Sequence, residues 1–208
     1  MDNGEFHFLA WQKFCSSHRI PFSKEEFRRN FFGRVNEQVL PVLFQRVLSK
    51  DEIQVLGDEK EKIYREIYGP KLKSVNGLVS LLDDLKKNSV SVAVATSASP
   101  ENVDFVLNGL NIKHYFNVIV DDSMVTKGKP DPEIYLKTAQ LLKTQPENCV
   151  VFEDSLSGTK AAFNAGAKVF ALTTSLDAAE HKFAHHIFPD FSGISYNFIQ
   201  KLFSTKRL

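Results

Sequence analysis

The residues of this chain best suited to chemistry lie in two short strings of its second half, Gly128-Lys129-Pro130-Asp131-Pro132 and Val150-Val151-Phe152-Glu153-Asp154-Ser155. A residue before proline is held extended, so Lys129 has a fixed direction. An ammonium held that way can neutralise a phosphoryl group in transfer and a neighbouring carboxylate; a solvated loop lysine is the plainer alternative. Glu153 and Asp154 are adjacent carboxylates at the end of an apolar run. There they repel each other and lose hydration unless a cation compensates. Mg²⁺, which favours carboxylate oxygens and water, is the expected cation, and a salt bridge to Lys129 with a helix cap is the alternative. A third string, Thr96-Ser97, ends the run Val92-Ala93-Val94-Ala95 just ahead of a helix start. Hydroxyls placed there can grip phosphate at a helix N-terminus, or cap that helix in the ordinary way.

These strings need strand ends to hold them, and the pattern of the chain provides such ends. After Pro70 short, wholly apolar runs alternate with helical ones. Strands are expected over 90–95, 116–120, 149–152, 168–172 and 187–188, and helices over 78–87, from Ser99-Pro100-Glu101 and from Asp131-Pro132-Glu133, then over 157–165, 176–183 and 194–202. Apolar strands alternating with helices mean an α/β fold, a parallel sheet covered on both faces. In such a sheet ligands bind beyond the carboxyl ends of the strands, where all three strings lie. Before Pro70 the chain reads as helical throughout. Phe6, Leu9, Ala10 and Phe14 follow helical spacing, and Ser23-Lys24-Glu25-Glu26 and Ser49-Lys50-Asp51-Glu52 are capping boxes. Gly69-Pro70 ends this part.

Composition narrows the function classes. The 208 residues suffice for one large domain or two small ones. Lys and Arg number 26 against 25 Asp and Glu, a net charge of +1, which gives no reason to expect nucleic acid or an anionic membrane as partner. Cys15 and Cys149 form no disulfide framework and read as reduced thiols. No apolar run approaches a membrane span, and the acidic start Met1-Asp2-Asn3-Gly4-Glu5 lacks a signal-peptide pattern, so a cytoplasmic location is expected. His181, His185 and His186 lack the companions of a metal site and read as surface residues. Asp121-Asp122 reads as a strand terminator.

Taken together, Thr96-Ser97, Gly128-Lys129-Pro130-Asp131-Pro132 and Phe152-Glu153-Asp154-Ser155 resemble the haloacid dehalogenase superfamily, in the branch of beta-phosphoglucomutase and small-phosphate phosphatases. The resemblance covers nearly the whole chain, with Asp2 to Trp11 resembling the segment that leads into the family's helical cap. It implies a Rossmann-like core over 73–208 and an all-helical cap over 3–72. It also implies Mg²⁺ held directly or through water by Glu153 and Asp154, with Ser155 supporting that loop. Thr96, with Ser97 beside it, would bind the transferring phosphoryl group, and Lys129 would neutralise it. His7 would lie at the cleft between cap and core. In the cap, where the family has a basic residue before a glycine and an arginine after it, this chain has Phe32, Gly33 and Arg34, with Asn36 at the arginine's place. Arg34 and Asn36 are thus the candidate substrate contacts, and Lys60 is a further cationic one.

The family's first motif, a strand followed by Asp-x-Asp-Gly that carries the nucleophile, occurs nowhere in the chain. In the family that strand is central. Its neighbours would otherwise keep unpaired backbone groups, at roughly 1–3 kcal/mol each, against a domain stability of about 5–15 kcal/mol. The motif is therefore expected upstream of Met1 in the native protein. The resemblance implies a Mg²⁺-dependent phosphohydrolase acting on a small phosphorylated metabolite such as a sugar phosphate, and a monomer. A hexose-phosphate mutase and a non-catalytic phosphate-binding protein are the alternatives.

Overall fold

The structure, a computed structural model, describes residues 4–31 and 34–204. The chain divides after Leu72 into two compact units.

The first unit is helical. It comprises α1 (Gly4–Ser17), α2 (Lys24–Glu26), a π-helical turn over Phe27–Phe31, α3 (Asn36–Leu43) and α4 (Lys50–Tyr68). Its core is aromatic: Phe8, Trp11, Phe14, Phe27 and Phe31 are buried with Val39, Leu40 and Leu43. Trp11 meets Phe14 edge-on at 5.5 Å between ring centres, a favoured aromatic geometry. Both capping signals act, but with different reach. At α4 the box is complete: Ser49 Oγ accepts from Glu52 N–H at 3.2 Å, and Ser49 N–H donates to Glu52 Oε2 at 2.8 Å. Ser23 Oγ accepts from Glu26 N–H at 3.1 Å, yet α2 passes at once into the wider π turn, which keeps Phe27 and Phe31 both inward. Phe32 and Gly33 lie outside the described residues.

The second unit alternates strands and helices in chain order. These are α5 (Leu78–Lys87), β1 (Ala93–Ala95), α6 (Pro100–Gly109), β2 (Val118–Val120), α7 (Glu133–Leu141), β3 (Val150–Glu153), α8 (Leu156–Asn164), β4 (Lys168–Leu172), β5 (His186–Phe188) and α9 (Tyr196–Ser204). The helix expected over 176–183 is absent; only a 3₁₀ turn, Ala178–Glu180, forms there. Asp177 caps that turn and the chain bends away at His181, so the apolar spacing of this stretch reflects loop residues tucked inward. His181 corrects a second expectation: it is buried, at 3% exposure, rather than superficial. His185 is also engaged, its Nδ1 accepting from Val169 N–H at 3.0 Å.

All strand pairs are parallel, but they form two sheets. One is β1-β2, with Val94 opposite Ile119; the other is β3-β4-β5, with Phe152 opposite Phe170 and Ala171 opposite Ile187. Both sheets share the same helical layers. Ala95, Val118 and Val120 of the first and Val151 and Val169 of the second pack in one cluster with Ile134 and Tyr135 of α7 and Ala161 and Ala162 of α8. On the opposite face α5 serves both: Leu78 packs with Val92 and Val94 on one side and with Phe152 and Leu172 on the other.

The hydrogen bonds at the strand ends fix which backbone groups of each sheet face its paired neighbour. Thr96 N–H donates to Val120 O at 3.0 Å, and Val92 O accepts from Asn117 N–H at 2.8 Å, so these residues of β1 and its ends turn toward β2. By strand alternation Ala93 and Ala95 turn their backbone groups the other way. Cys149 O accepts from Lys168 N–H at 2.9 Å, so Val150 and Phe152 likewise point away from β4. Among the described residues no strand pairs with those edges. The consequence shows in burial: the last four residues of β4 are all buried, whereas every residue of β1 and β3, apolar but for Glu153, is only half-buried.

Candidate active site

The carboxyl ends of β1 and β3 meet through Lys129. Its Nζ donates to Ala95 O at 3.3 Å, at the end of β1, and to Glu153 Oε1 at 2.5 Å, at the end of β3. It also lies 5.0 Å from the centre of the Tyr135 ring. The peptide bond to Pro130 is cis. The side chains of Lys129 and Glu153 are 11% and 10% exposed, so the pair sits where a charge without a partner is costly.

Glu153 uses both of its oxygens fully. Oε1 accepts from Lys129 Nζ and from Tyr135 O–H at 3.0 Å; Oε2 accepts from the N–H groups of Asp154 and Ser155, each at 3.0 Å, and from Ser155 O–H at 2.9 Å. Burial pushes this carboxyl up, but the ammonium of Lys129 and the N–H of Ser155 outweigh it and hold Glu153 below the usual carboxylate range. Burial and the nearby Glu153 push the Tyr135 hydroxyl well up, so Tyr135 stays a donor. The sequence dictates the closeness of this packing at one point. A Cβ on Gly158, in the first turn of α8, would come within 2.0 Å of the Glu153 carboxyl group. Ser155 caps the same helix, its Oγ accepting from Gly158 N–H at 3.0 Å.

Asp154 is held differently. Its Oδ2 accepts from Thr174 O–H at 3.0 Å and from Ser175 O–H at 2.8 Å, both in the loop after β4. Thr96 follows β1 directly, and its Oγ1 accepts from Ala98 N–H at 3.1 Å; Ser97 beside it is exposed. Thr96, Ser97, Lys129, Glu153 and Asp154 are thus gathered at the carboxyl edge of the two half-sheets. Tyr135, Thr174 and Ser175 join them without having been picked out from the sequence. The last two bear the same signal as Thr96 and Ser97, hydroxyls just past an apolar strand; Tyr135, on the face of a helix, bears none.

The other candidates belong to the helical unit. His7 stacks on Tyr64, with ring centres 4.1 Å apart and planes at 3°, and its Nδ1 lies 3.4 Å from Lys60 Nζ. Lys60 is buried, at 2% exposure, over the Trp11 ring and in an ion pair with Glu61. Burial, and then the Lys60 charge, push His7 down to about 4, so its ring is neutral near pH 7. Burial likewise lowers Lys60. Asn36 donates to Glu61 Oε1 at 3.2 Å, which joins it to this cluster, whereas Arg34 is exposed.

A loop lysine between two parallel strand ends, beside a strand-end threonine and an acidic pair, can be set against known proteins. The sequence profile of the haloacid dehalogenase-like hydrolases matches residues 1–172. The chain belongs to this family. Among curated relatives, a phosphorylated carbohydrates phosphatase of Thermotoga maritima is 32% identical over 182 residues, 85% of this chain and 82% of that protein. The beta-phosphoglucomutase of Bacillus subtilis is 30% identical over 172 residues, 79% of this chain and 75% of that protein. Among solved structures, a family IA hydrolase from Entamoeba histolytica superposes with a TM-score of 0.85 at 27% identity, covering 98% of this chain and 94% of that one. The haloacid dehalogenase-like assignment makes the protein, at family level, one of a group of phosphatases and phosphomutases. It also fits the half-sheets as parts of a Rossmann-like core. Among the described residues no helix is long and apolar enough to cross a membrane.

The family implies Mg²⁺, and the donor set accommodates it in part. Asp154 is suited to be a carboxylate ligand, oriented by two hydroxyls on one oxygen. Glu153 has five donors on two oxygens and no evident lone pair to spare. No group of three or more His, Cys, Asp or Glu able to hold a metal occurs among the described residues. Mg²⁺ completes its six positions from few carboxylates plus water and phosphate oxygen, so the ion would draw its other ligands from beyond these side chains.

Proposed function

We propose that this chain provides the phosphate- and metal-binding part of a phosphohydrolase acting on a small phosphorylated metabolite such as a sugar phosphate. The observation that carries the reading is the position of Lys129 Nζ, between Ala95 O and Glu153 Oε1 at the edge where Thr96 begins the next loop. A buried ammonium there offers a fixed positive charge to a phosphoryl group, in a site where water is scarce and charge acts strongly. Thr96 and Ser97 supply hydroxyl donors. Glu153 holds the lysine in place. Asp154 is the carboxylate proposed to contact Mg²⁺, which when bound would offset phosphate charge. The attacking carboxylate is proposed to come from outside these 208 residues, which hold no Asp-x-Asp-Gly. Similarity to a carbohydrate-phosphate phosphatase supports the substrate class.

The test is phosphate release by the native full-length protein over a panel of sugar phosphates, with Mg²⁺ and with EDTA. Turnover that needs Mg²⁺ and falls at least a hundredfold in Lys129→Ala is expected. Release that is unchanged by EDTA or by Lys129→Ala would sink the reading. The second reading, a hexose-phosphate mutase, is favoured by the similarity to the Bacillus subtilis enzyme. It needs a cation for a second phosphate, and exposed Arg34 is the candidate; unchanged hexose-phosphate interconversion in Arg34→Ala would remove that support.

A further inference from the structure

A cavity of about 220 Å³ lies between the C-terminus of α5 and the amino ends of β1 and β2, at the far end of these strands from Thr96. The sequence shapes it locally. Ser89 takes the left-handed conformation, φ 56°, that glycine usually supplies just past a helix end. Its N–H donates to Lys86 O at 3.1 Å, and Val90 N–H donates to Leu85 O at 3.0 Å. These bonds close α5 and turn the chain through Ser91 toward β1. Asn117 stands just before β2. Its N–H donates to Val92 O at 2.8 Å, and its Oδ1 accepts from Val92 N–H at 2.9 Å. This pair of bonds joins the two strand starts and leaves the Asn117 NH₂ group as a donor.

The polar lining is of one kind. Lys86, Ser89, Ser91, His114 and Asn117 bring an ammonium, two hydroxyls, an imidazole and an amide, and no Asp or Glu lines the cavity. Among the described residues the Lys86 ammonium and the hydroxyls of Ser89 and Ser91 have no hydrogen-bond or ion-pair partner. Lys86 Nζ instead lies 5.4 Å from the centre of the Tyr115 ring. The carboxylates close by in the chain are engaged: Asp83 accepts from Tyr115 O–H at 2.6 Å, and Asp104 pairs with Lys113 at 2.6 Å. The rest of the lining is apolar or aromatic. Leu82 is buried, Val90 and Val92 are half-buried, and the rings of His114 and Tyr115 are 4.2 Å apart.

We propose that this cavity binds a small phosphate monoester, with Lys86 as counter-charge to the phosphate, Ser89, Ser91 and Asn117 as its hydrogen-bond donors, and the organic stem against Tyr115 and Val92. One cation with several neutral donors suits a phosphate, which offers three strong acceptor oxygens, better than a carboxylate, which offers two. The volume is below the roughly 300–1,000 Å³ of sites for drug-sized ligands, so the occupant is small. The site does not rest on the phosphohydrolase reading, since Val92 and Thr96 stand at opposite ends of β1, about 13 Å apart along an extended strand. Its residues come together only when α5, β1 and β2 have packed, so a ligand bound there stabilises the folded unit.

The probe is phenylphosphonate, which keeps the charged oxygens and a short stem but has no ester bond to hydrolyse, with inorganic phosphate beside it. Binding is followed in nitrogen-15 NMR spectra of the protein at the Asn117 side-chain NH₂ and the His114 ring. Shifts that saturate at both with millimolar probe are expected, and Lys86→Met should weaken them at least tenfold. Asn117→Asp is the second variant. It keeps an oxygen for Val92 N–H but replaces the donor with a charge that repels an anion, so it too should weaken binding at least tenfold while circular dichroism shows an unchanged fold. No saturating shift at Asn117 and His114, or affinity unchanged in Lys86→Met, would overturn the proposal. Shifts confined to Thr96, Ser97 and Lys129 would also overturn it, while supporting phosphate binding at the carboxyl edge. Saturation at Asn117 and His114 with none at Lys129 would uphold it and count against the phosphohydrolase reading.

Discussion

Replacing Lys129 by Met tests the electrostatic arrangement that joins the half-sheets. The variant keeps a side chain of similar length but removes the charge from a pair whose side chains are 11% and 10% exposed. Breaking a buried pair from one side costs about 3–5 kcal/mol, because the remaining charge has lost its partner. Glu153 retains four donors, from Tyr135, Asp154 and Ser155, which places the loss at the lower end, about 3 kcal/mol. That is a large share of a stability of about 5–15 kcal/mol. The pH dependence has a definite sign. In the wild type Glu153 is depressed in the folded state, so its contribution is present above the unfolded carboxyl value, about 4.3, and is lost as pH falls through the folded value. In Lys129→Met burial is opposed only by the remaining hydrogen bonds, and the carboxyl rises. The deficit should therefore be largest near pH 7 and shrink below about pH 5, where the glutamate can take a proton. Adding Glu153→Gln should recover part of the loss at pH 7. The assay is urea unfolding at pH 7 and pH 4.5, followed by far-UV circular dichroism. A deficit under about 1 kcal/mol at pH 7, or one equal at both pH values, would show that the pair is not held as described.

Gly158→Ala should be destabilising by about 1–3 kcal/mol, since its Cβ would overlap the Glu153 carboxyl and push it off Lys129; a thermal midpoint equal to wild type would contradict that packing. Tyr135→Phe removes one donor from a buried carboxylate and should cost about 1.5–3 kcal/mol, with the Glu153 carboxyl titrating at higher pH by carbon-detected NMR; no change in either quantity would mean the hydroxyl is idle. His7 should remain neutral in the folded state down to about pH 4. Unfolded chains take that proton near pH 6.5, so the helical unit should lose up to about 3 kcal/mol as pH falls from about 6.5 to 4. An imidazole titration midpoint near 6.5 would refute the buried neutral ring.

The sequence alone determined what depends on local order. Apolar runs between helix starts set an α/β class with all strands parallel, and 168–172 is a strand with the expected ends. Ser49 and Glu52 wrote their own capping box. Thr96, Glu153 and Asp154 could be named because residues at the carboxyl end of a buried strand lie at the ligand-binding edge, and Lys129 because the proline after it fixes its direction. Tertiary structure decided the rest, because it depends on which groups meet across long stretches of chain. It gave the acidic pair unequal tasks, Glu153 fastened by Lys129 and Tyr135 while Asp154 is turned by Thr174 and Ser175. It buried His181 and dissolved the helix expected around it, since apolar spacing cannot distinguish a helix face from a loop folded inward. It also divided the strands into two sheets. Strand pairing is a relation between segments far apart in sequence, so which strands share a ladder shows only once the chain is folded.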